Sequence, residues 1–263
     1  MSDDKEEEKL IYLLAILGGF IAGFINMLAG SGSIITLSIL TELLGLPGNI
    51  ANATNRVGVL AQTYIGTYTF QKHGKLNITR GLPYLWPMIV GSFGGIYLAT
   101  RVSNEQFLVV FKLLMVVMLF VVLVKPQRWL AQKVESKPPN YWLAIPFFFL
   151  LGVYSGFIQM GMGVFFLAAM VLGAKFELME ANALKIFVVA ILTTIALSVF
   201  AWKGLVDWKV GGLIAIGQGA GGWAGGYYGS KYASANVWAY RILVFVVIGV
   251  LVKMFYSDIL LLF

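Results

Sequence analysis

The sequence predicts an all-α, polytopic integral membrane protein built from two similar halves, and three observations predict it. Only 12% of its 263 residues are charged while 59% are hydrophobic. A soluble domain carries roughly 25% charged residues, so a surface facing water cannot be covered here. The apolar residues are gathered into runs, most of them long enough to cross the hydrocarbon core of a bilayer. The order of those runs then repeats after about 130 residues.

The chain opens on an acidic stretch, MSDDKEEEK (1–9), with no basic n-region and no cleavage site, so a retained solvated tail is expected rather than a signal peptide. Apolar segments follow at 10–29, 33–46, 53–71, 82–100 and 105–124, which make up a first repeat, 10–124. A polar linker containing prolines, KPQRWLAQKVESKPPN (125–140), leads to a second repeat, 141–258, with segments at 141–161, 163–173, 183–202, 209–230 and 236–256. Both halves read long, short, long, long, long. Residues recur with the lengths. Gly23-Phe24-Ile25-Asn26-Met27 matches Gly156-Phe157-Ile158-Gln159-Met160, with Gly30 in register with Gly163. Asn52-Ala53-Thr54-Asn55-Arg56 resembles Ala181-Asn182-Ala183-Leu184-Lys185 across a one-residue gap, and Gly94-Gly95 answers Gly225-Gly226. Duplicated halves interrupted at matching places are a common design of secondary transporters, in which the interruptions mark the binding site.

The segments 33–46 and 163–173 are brief for a crossing and are read as re-entrant half-helices, giving about eight membrane-crossing helices plus two half-helices. Loop charges favour this arrangement. It places 12 Lys and Arg residues on one side and 5 on the other, whereas ten crossings, as 5+5 inverted repeats, divide them 10 and 7. By the positive-inside rule both termini then lie in the cytoplasm and the chain sits in the cytoplasmic (inner) membrane, with the ten-helix inverted arrangement as the alternative.

Composition also excludes function classes. The chain has no cysteine and one histidine, which removes disulfides, thiolate catalysis and cysteine-bound metals and leaves little for acid–base chemistry. No enzyme, cofactor or metal is expected. The net charge of +7 sits mostly in loops between apolar runs, so it reads as a topology signal and not as a nucleic-acid surface.

The candidate site starts from NMLAGSGSII (26–35), which interrupts an apolar run with small, hydroxyl-bearing residues. Glycine and serine weaken a helix, and irregular backbone at membrane depth survives only against protein or a polar cavity. Asn26, Ser31, Gly32 and Ser33 are therefore expected to line a buried break, with Gln159, Gly161 and Gly163 at the second. Asn52, Thr54, Asn55 and Arg56, and their counterparts Asn182 and Lys185, place amides and a cation in or before the first turn of a helix. A bound anion reconciles that cation with the free amides around it, and the planar fork of Arg suits an oxyanion. Intramembrane cations are costly, which makes both of them functional candidates. Gly217, Gly221, Gly225 and Gly229 fall on one helix face, with Gly91 and Gly95 as a shorter version, and read as close helix packing. Lys112, Arg241, Glu42, His73 and Asp207 are lesser candidates.

At these motifs the chain resembles the TauE/SafE family of membrane permeases, named for sulfite export. The residues that carry the resemblance are Gly23-Phe24-Ile25-Asn26 with Ala29-Gly30-Ser31-Gly32, Ala53-Thr54-Asn55-Arg56, Gly156-Phe157-Ile158 with Gly161 and Gly163, and Trp202-Lys203-Gly204 through Asp207-Trp208. The family pattern has glycines where Ser31 and Ser33 stand, a proline near Ser38 and Lys in place of Arg56. The resemblance implies export or uptake of sulfite, sulfonates or related organosulfur anions. The residues themselves point to a small anion at a cationic, glycine-broken site. No nucleotide-binding signature is present, so a proton or sodium gradient is the expected drive. A passive anion channel or a membrane scaffold subunit is the alternative, and the oligomeric state is left open.

Overall fold

The computed structural model describes residues 2–123, 141–231 and 241–252, so the expected linker 125–140 and the end of the last apolar segment lie outside the described residues. All regular structure among the described residues is helical. The first half comprises α1 (Ser2–Ala29), α2 (Ser33–Leu43), α3 (Gly48–Lys72), α4 (Ile78–Ala99) and α5 (Asn104–Leu123). The second comprises α6 (Tyr141–Phe157), α7 (Met162–Gly173), α8 (Leu178–Trp202), α9 (Trp208–Lys231) and α10 (Arg241–Val252). Both short helices finish in a π-helical turn, Ile39–Leu43 in α2 and Ala169–Gly173 in α7.

Several boundaries differ from the sequence reading. The acidic residues 2–9 are not a separate tail but extend α1, in keeping with the helix propensity of Glu and Lys. α3 starts at Gly48 and α8 at Leu178, each more than a turn before the apolar run begins. Hydrophobicity marks where a helix meets lipid, and the first turns of α3 meet protein instead. Asn52, Thr54, Asn55 and Arg56 are all buried there.

The close approaches between helices fix their directions. Gly217 of α9 lies over Ile16 and Phe20 of α1, Gly221 over Phe20 and Phe24, and Gly225 over Phe24 and Met27, so the two helices run in parallel. α4 and α6 do the same, with Gly91 over Phe149 and Gly95 over Val153. α3 runs with α9, since Gly211 meets Thr54 and Val57 while Gly219 meets Ala61 and Ile65. α8 runs against α3, because Gly66 meets Ile186 and Tyr64 meets Thr194 further along. α1, α3 and α9 thus point one way, and α4, α6 and α8 the other. Eight crossings require α1 and α3 to be opposed; here they are parallel, because α2 turns back along α1. Gly32 packs on Ala22 and Asn26, and Gly18 on Ile39. α6 and α7 form a second hairpin from the other end of the bundle. Its return ends where α4 begins, with Arg80 Nη2 donating to Lys175 O at 3.2 Å.

Four of the described helices are long and apolar enough to cross a membrane: α1 over Leu10–Leu28, α4, α5 over Asn104–Val121, and α8. Large apolar side chains such as Leu113, Phe120, Leu150 and Trp142 point outward, as a lipid-facing surface requires. α3 is as long as α8 but less apolar, because it lies against α1, α2, α5, α8 and α9. The glycine faces let these backbones approach. A Cβ at Gly221 would collide with the Phe20 carbonyl, whereas one at Gly212 would meet nothing within 4 Å. Gly221→Ala is therefore expected to destabilise the purified protein by the ~1–3 kcal/mol or more typical of overpacking, seen as a lower thermal unfolding midpoint, and Gly212→Ala not to lower the midpoint. Equal midpoints in detergent would show that the α1–α9 seam is not tightly packed.

Candidate functional site

The two hairpin tips meet inside the bundle. α1 stops at Ala29, and Gly30 takes φ +74°; a Cβ there would stand 2.9 Å from the backbone of Gly163, and one at Gly163 would stand 2.7 Å from the Cα of Gly30. Glycine at both places permits the contact. The second turn holds Gln159 at φ +59° and Gly161 at φ +68°. A left-handed Gln is unusual and needs support. Its side chain supplies it: Oε1 accepts from Arg56 Nη1 at 2.7 Å and Nε2 donates to Thr193 Oγ1 at 2.8 Å.

Breaking a helix strips its last carbonyls of intrahelical donors, and inside a membrane those carbonyls need partners. α3 supplies them to α6. Arg56 Nη2 donates to Ser155 O at 2.9 Å and Gly156 O at 3.3 Å, and Asn52 Nδ2 donates to Phe157 O at 2.8 Å. α8 reaches α1 with longer bonds, Lys185 Nζ to Asn26 O at 3.4 Å, an oxygen that also keeps the amide of Gly30 at 2.9 Å, and Asn182 Nδ2 to Met27 O at 3.5 Å. The cations therefore do not sit in the first turns of their own helices, as the sequence reading had it. They sit two turns in, against the C-terminal ends of the broken helices, where the helix dipole favours positive charge. Their register differs too. Counted from the helix starts, Lys185 stands where Asn55 does, one place before Arg56.

Both cations are buried, Arg56 at 0% and Lys185 at 1% exposure, and no carboxylate is among their partners. Beside the tips lies a tight cavity of about 10 Å³, room for one water-sized guest. Asn26, Gly30 and Ser33 line it from the first hairpin, Gln159 and Gly163 from the second, with Lys185 from α8 and Val59 and Thr63 from α3. Around the tips several buried side-chain atoms have no protein partner: the donors Arg56 Nε and Gln62 Nε2, the hydroxyls of Ser31 and Ser155, and the acceptors Asn52 Oδ1 and Asn182 Oδ1.

The structure thus gathers Asn26, Ser33, Gln159, Gly163 and Lys185 at the cavity, with Asn52, Arg56 and Asn182 behind it. Ser31 is buried in the first turn, and the amide of Gly32 donates to Asn26 Oδ1 at 3.3 Å. Gly161 packs on Met118. Two expected residues turn elsewhere. Thr54 Oγ1 accepts from the Asp207 amide at 3.0 Å, and Asn55 Oδ1 accepts from Thr36 Oγ1 at 2.6 Å. Val59, Thr63 and Thr193 escaped the sequence reading. Val59 and Thr63 stand three and seven residues after Arg56, a helical spacing that places them on its face. Of the lesser candidates, His73 lies in an exposed turn with Nδ1 at 2.7 Å from Thr69 O.

A family model described as sulfite exporter TauE/SafE matches residues 15–254. A probable membrane transporter protein, ORF9, of a Sinorhizobium species is 29% identical over 232 residues, covering 88% of this chain and 87% of its own. A probable membrane transporter protein of Haemophilus influenzae is 27% identical, over 79% of this chain and 82% of its own. The probable membrane transporter protein YfcA of Escherichia coli K12 is 25% identical, over 80% of this chain and 76% of its own. No solved structure matches the chain.

Arg56→Met removes every bond that holds the α6 carbonyls except that from Asn52, and frees Gln159. With charged hydrogen bonds worth roughly 1.5–3 kcal/mol each, the variant is expected to lose about 3 kcal/mol or more. Arg56→Lys is expected to lose less. Thermal unfolding in detergent checks this, and a wild-type midpoint for Arg56→Met would show that the guanidinium does not hold the break.

Proposed function

Because the chain belongs to the sulfite exporter TauE/SafE family, we propose that it is a secondary active transporter of a small sulfur-containing anion, such as sulfite or a sulfonate, across the cytoplasmic membrane. One observation carries this reading: two buried cations, without a carboxylate between them, stand at the meeting point of two helix breaks among unpartnered donors. Buried charge is costly in a low-dielectric interior unless it is paired, and a bound anion would complete the pairing. Arg56 and the donors about it suit the oxygens of a sulfur oxyanion. The relatives named as probable membrane transporters point the same way.

The helix directions support inverted repeats. Each element of α1–α4 runs opposite to its counterpart in α6–α9, and the tips of the two hairpins form the seat. Alternating access would move one hairpin and its partners against the other about that seat. A cavity of about 10 Å³ is too small for a sulfur oxyanion, so on this reading the tips part to admit the anion. The same directions bear on orientation. The end of the bundle where α3 stops and α4 begins gathers Lys72, Lys75, Arg80 and Lys175, and α5 ends and α6 begins at that end, so the loop between them, whose sequence has Lys125, Arg128, Lys133 and Lys137, adds to its positive charge count. The opposite end has Lys5, Lys9, Arg101, Lys203 and Lys209 with the N-terminus, a smaller number than the first end carries. The positive-inside rule then places the N-terminus outside the cytoplasm, contrary to the eight-crossing reading.

Two experiments test this. A panel of sulfite, thiosulfate, sulfoacetate, taurine and thiolate anions is screened by thermal shift, and a ligand at a hundredfold its Kd is expected to stabilise by about 2.7 kcal/mol. The hit is then followed by counterflow in proteoliposomes, where trans substrate accelerates a carrier and not a pore. A panel without any shift or flux would refute the reading. Orientation is tested by single cysteines in this cysteine-free chain. A membrane-impermeant thiol reagent added to intact cells is expected to label Lys203→Cys and to spare Gly74→Cys; the reverse pattern restores a cytoplasmic N-terminus.

A further inference from the structure

We propose that Lys185 carries the coupling proton, so that the anion moves with a proton and without sodium; this rests on the transport reading above. The two cations are chemically unlike. Arg56 is held at three acceptors, Gln159 Oε1, Ser155 O and Gly156 O, and a guanidinium does not give up its proton inside a protein. Lys185 has one acceptor, Asn26 O at 3.4 Å, and it lines the cavity. An ammonium can release its proton, which is why lysines serve as acids and bases in buried sites. One charge is fixed and the other dischargeable.

No other group at the cavity can take that role. Its lining from α1, α2, α3, α7 and the second turn contains no Asp, Glu, His or Tyr. The nearest ionisable groups on the surrounding elements are otherwise engaged. Arg56 of α3 reaches the cavity through Gln159, and the Tyr154 hydroxyl of α6 donates to the Met160 carbonyl. Arg80 of α4 pairs with Glu180 at 2.7 Å, more than a turn before Lys185.

The lining of the cavity is poorly suited to sodium, although the amide oxygens Asn52 Oδ1 and Asn182 Oδ1 nearby are buried without a protein partner. Sodium in broken-helix carriers is coordinated by the carbonyls of the unwound turns. Here the carbonyls of the last helical turns before each break already face positive or amide donors. Asn26 O meets Lys185, Met27 O meets Asn182, Ser155 O and Gly156 O meet Arg56, and Phe157 O meets Asn52. No carboxylate lines the cavity to offset a further cation.

The cycle balances with one proton. Water on the loading side protonates the Lys185 amine, and the ammonium holds the anion while Arg56 behind the cavity adds a fixed positive charge. After the tips part on the other side, the anion leaves and the ammonium returns its proton to water there. The carrier resets with a neutral amine, which no longer needs an anion beside it.

The test uses the full chain in proteoliposomes containing a trapped pH dye, with thiosulfate and sulfoacetate as probes, since both are ionised near neutral pH and carry no proton of their own. Uptake by the wild type is expected to acidify the lumen, and replacing sodium by choline to change nothing. Wild-type affinity is expected to fall about tenfold per pH unit once the ammonium titrates, by simple linkage. Lys185→Arg is expected to bind with an affinity that no longer varies with pH and to move no protons. Lys185→Gln, an uncharged side chain that also donates to a carbonyl, is expected to bind more weakly, again without pH dependence; thermal midpoints check that both variants fold. Uptake without acidification, a requirement for sodium, or wild-type proton movement in Lys185→Arg would overturn the proposal while leaving the transport reading standing. No flux of either probe in a wild type that transports another anion of the panel would limit the substrate and move the same test to that anion, and no flux of any anion would end both readings.

Discussion

The rest of the structure depends on how the carbonyls of two broken helices are satisfied. Each break exposes acceptors where a membrane offers no water, and each is answered by side chains of the opposite half. Arg56 and Asn52 of α3 hold the end of α6, while Lys185 and Asn182 of α8 hold the end of α1. Neither half completes its own break. The exchange ties the halves at their centre and leaves two cations where a lipid-facing helix would never put them.

Other features follow from that exchange. α3 has to reach the end of α6, so it runs through the middle of the bundle and carries polar residues along much of its length. Its neighbours must then come close. The glycine faces of α4 and α9 let α6 and α1 pack backbone to backbone, which frees space for the buried amides and hydroxyls around the tips. Gln159 accepts a left-handed backbone because Arg56 and Thr193 hold its side chain. The two halves are unequal in this respect. The α3 side makes short, multiple bonds and the α8 side long, single ones.

Much of the architecture was legible in the chain. The scarcity of charge fixed the membrane class, and the interruptions at Gly30 and Gly161 marked the turns because glycine there has a backbone reason. Arg56 and Lys185 stood out by cost alone. What was not legible came from contacts between elements. Apolar length could not show that α2 doubles back along α1, since a reversal and a crossing use the same residues. The starts of α3 and α8 were hidden because Asn52 and Asn182 face protein, and hydropathy records lipid. Thr54 and Asn55 look like ligands beside Arg56, yet a helix turns neighbours toward different partners, and theirs are Asp207 and Thr36. Val59 and Thr63 were within reach by helical spacing from Arg56.

The contact of Gly30 with Gly163 has a consequence for selectivity. A hollow walled by one rigid element has a size set by that element. A seat between two opposed points has no fixed width, because its width is the gap between them. On the proposed transport reading, what such a protein accepts is governed by how far two glycine tips can draw apart before the carbonyl bonds behind them fail. The weaker of those sets, on the Lys185 side, would yield first and so would set the largest guest.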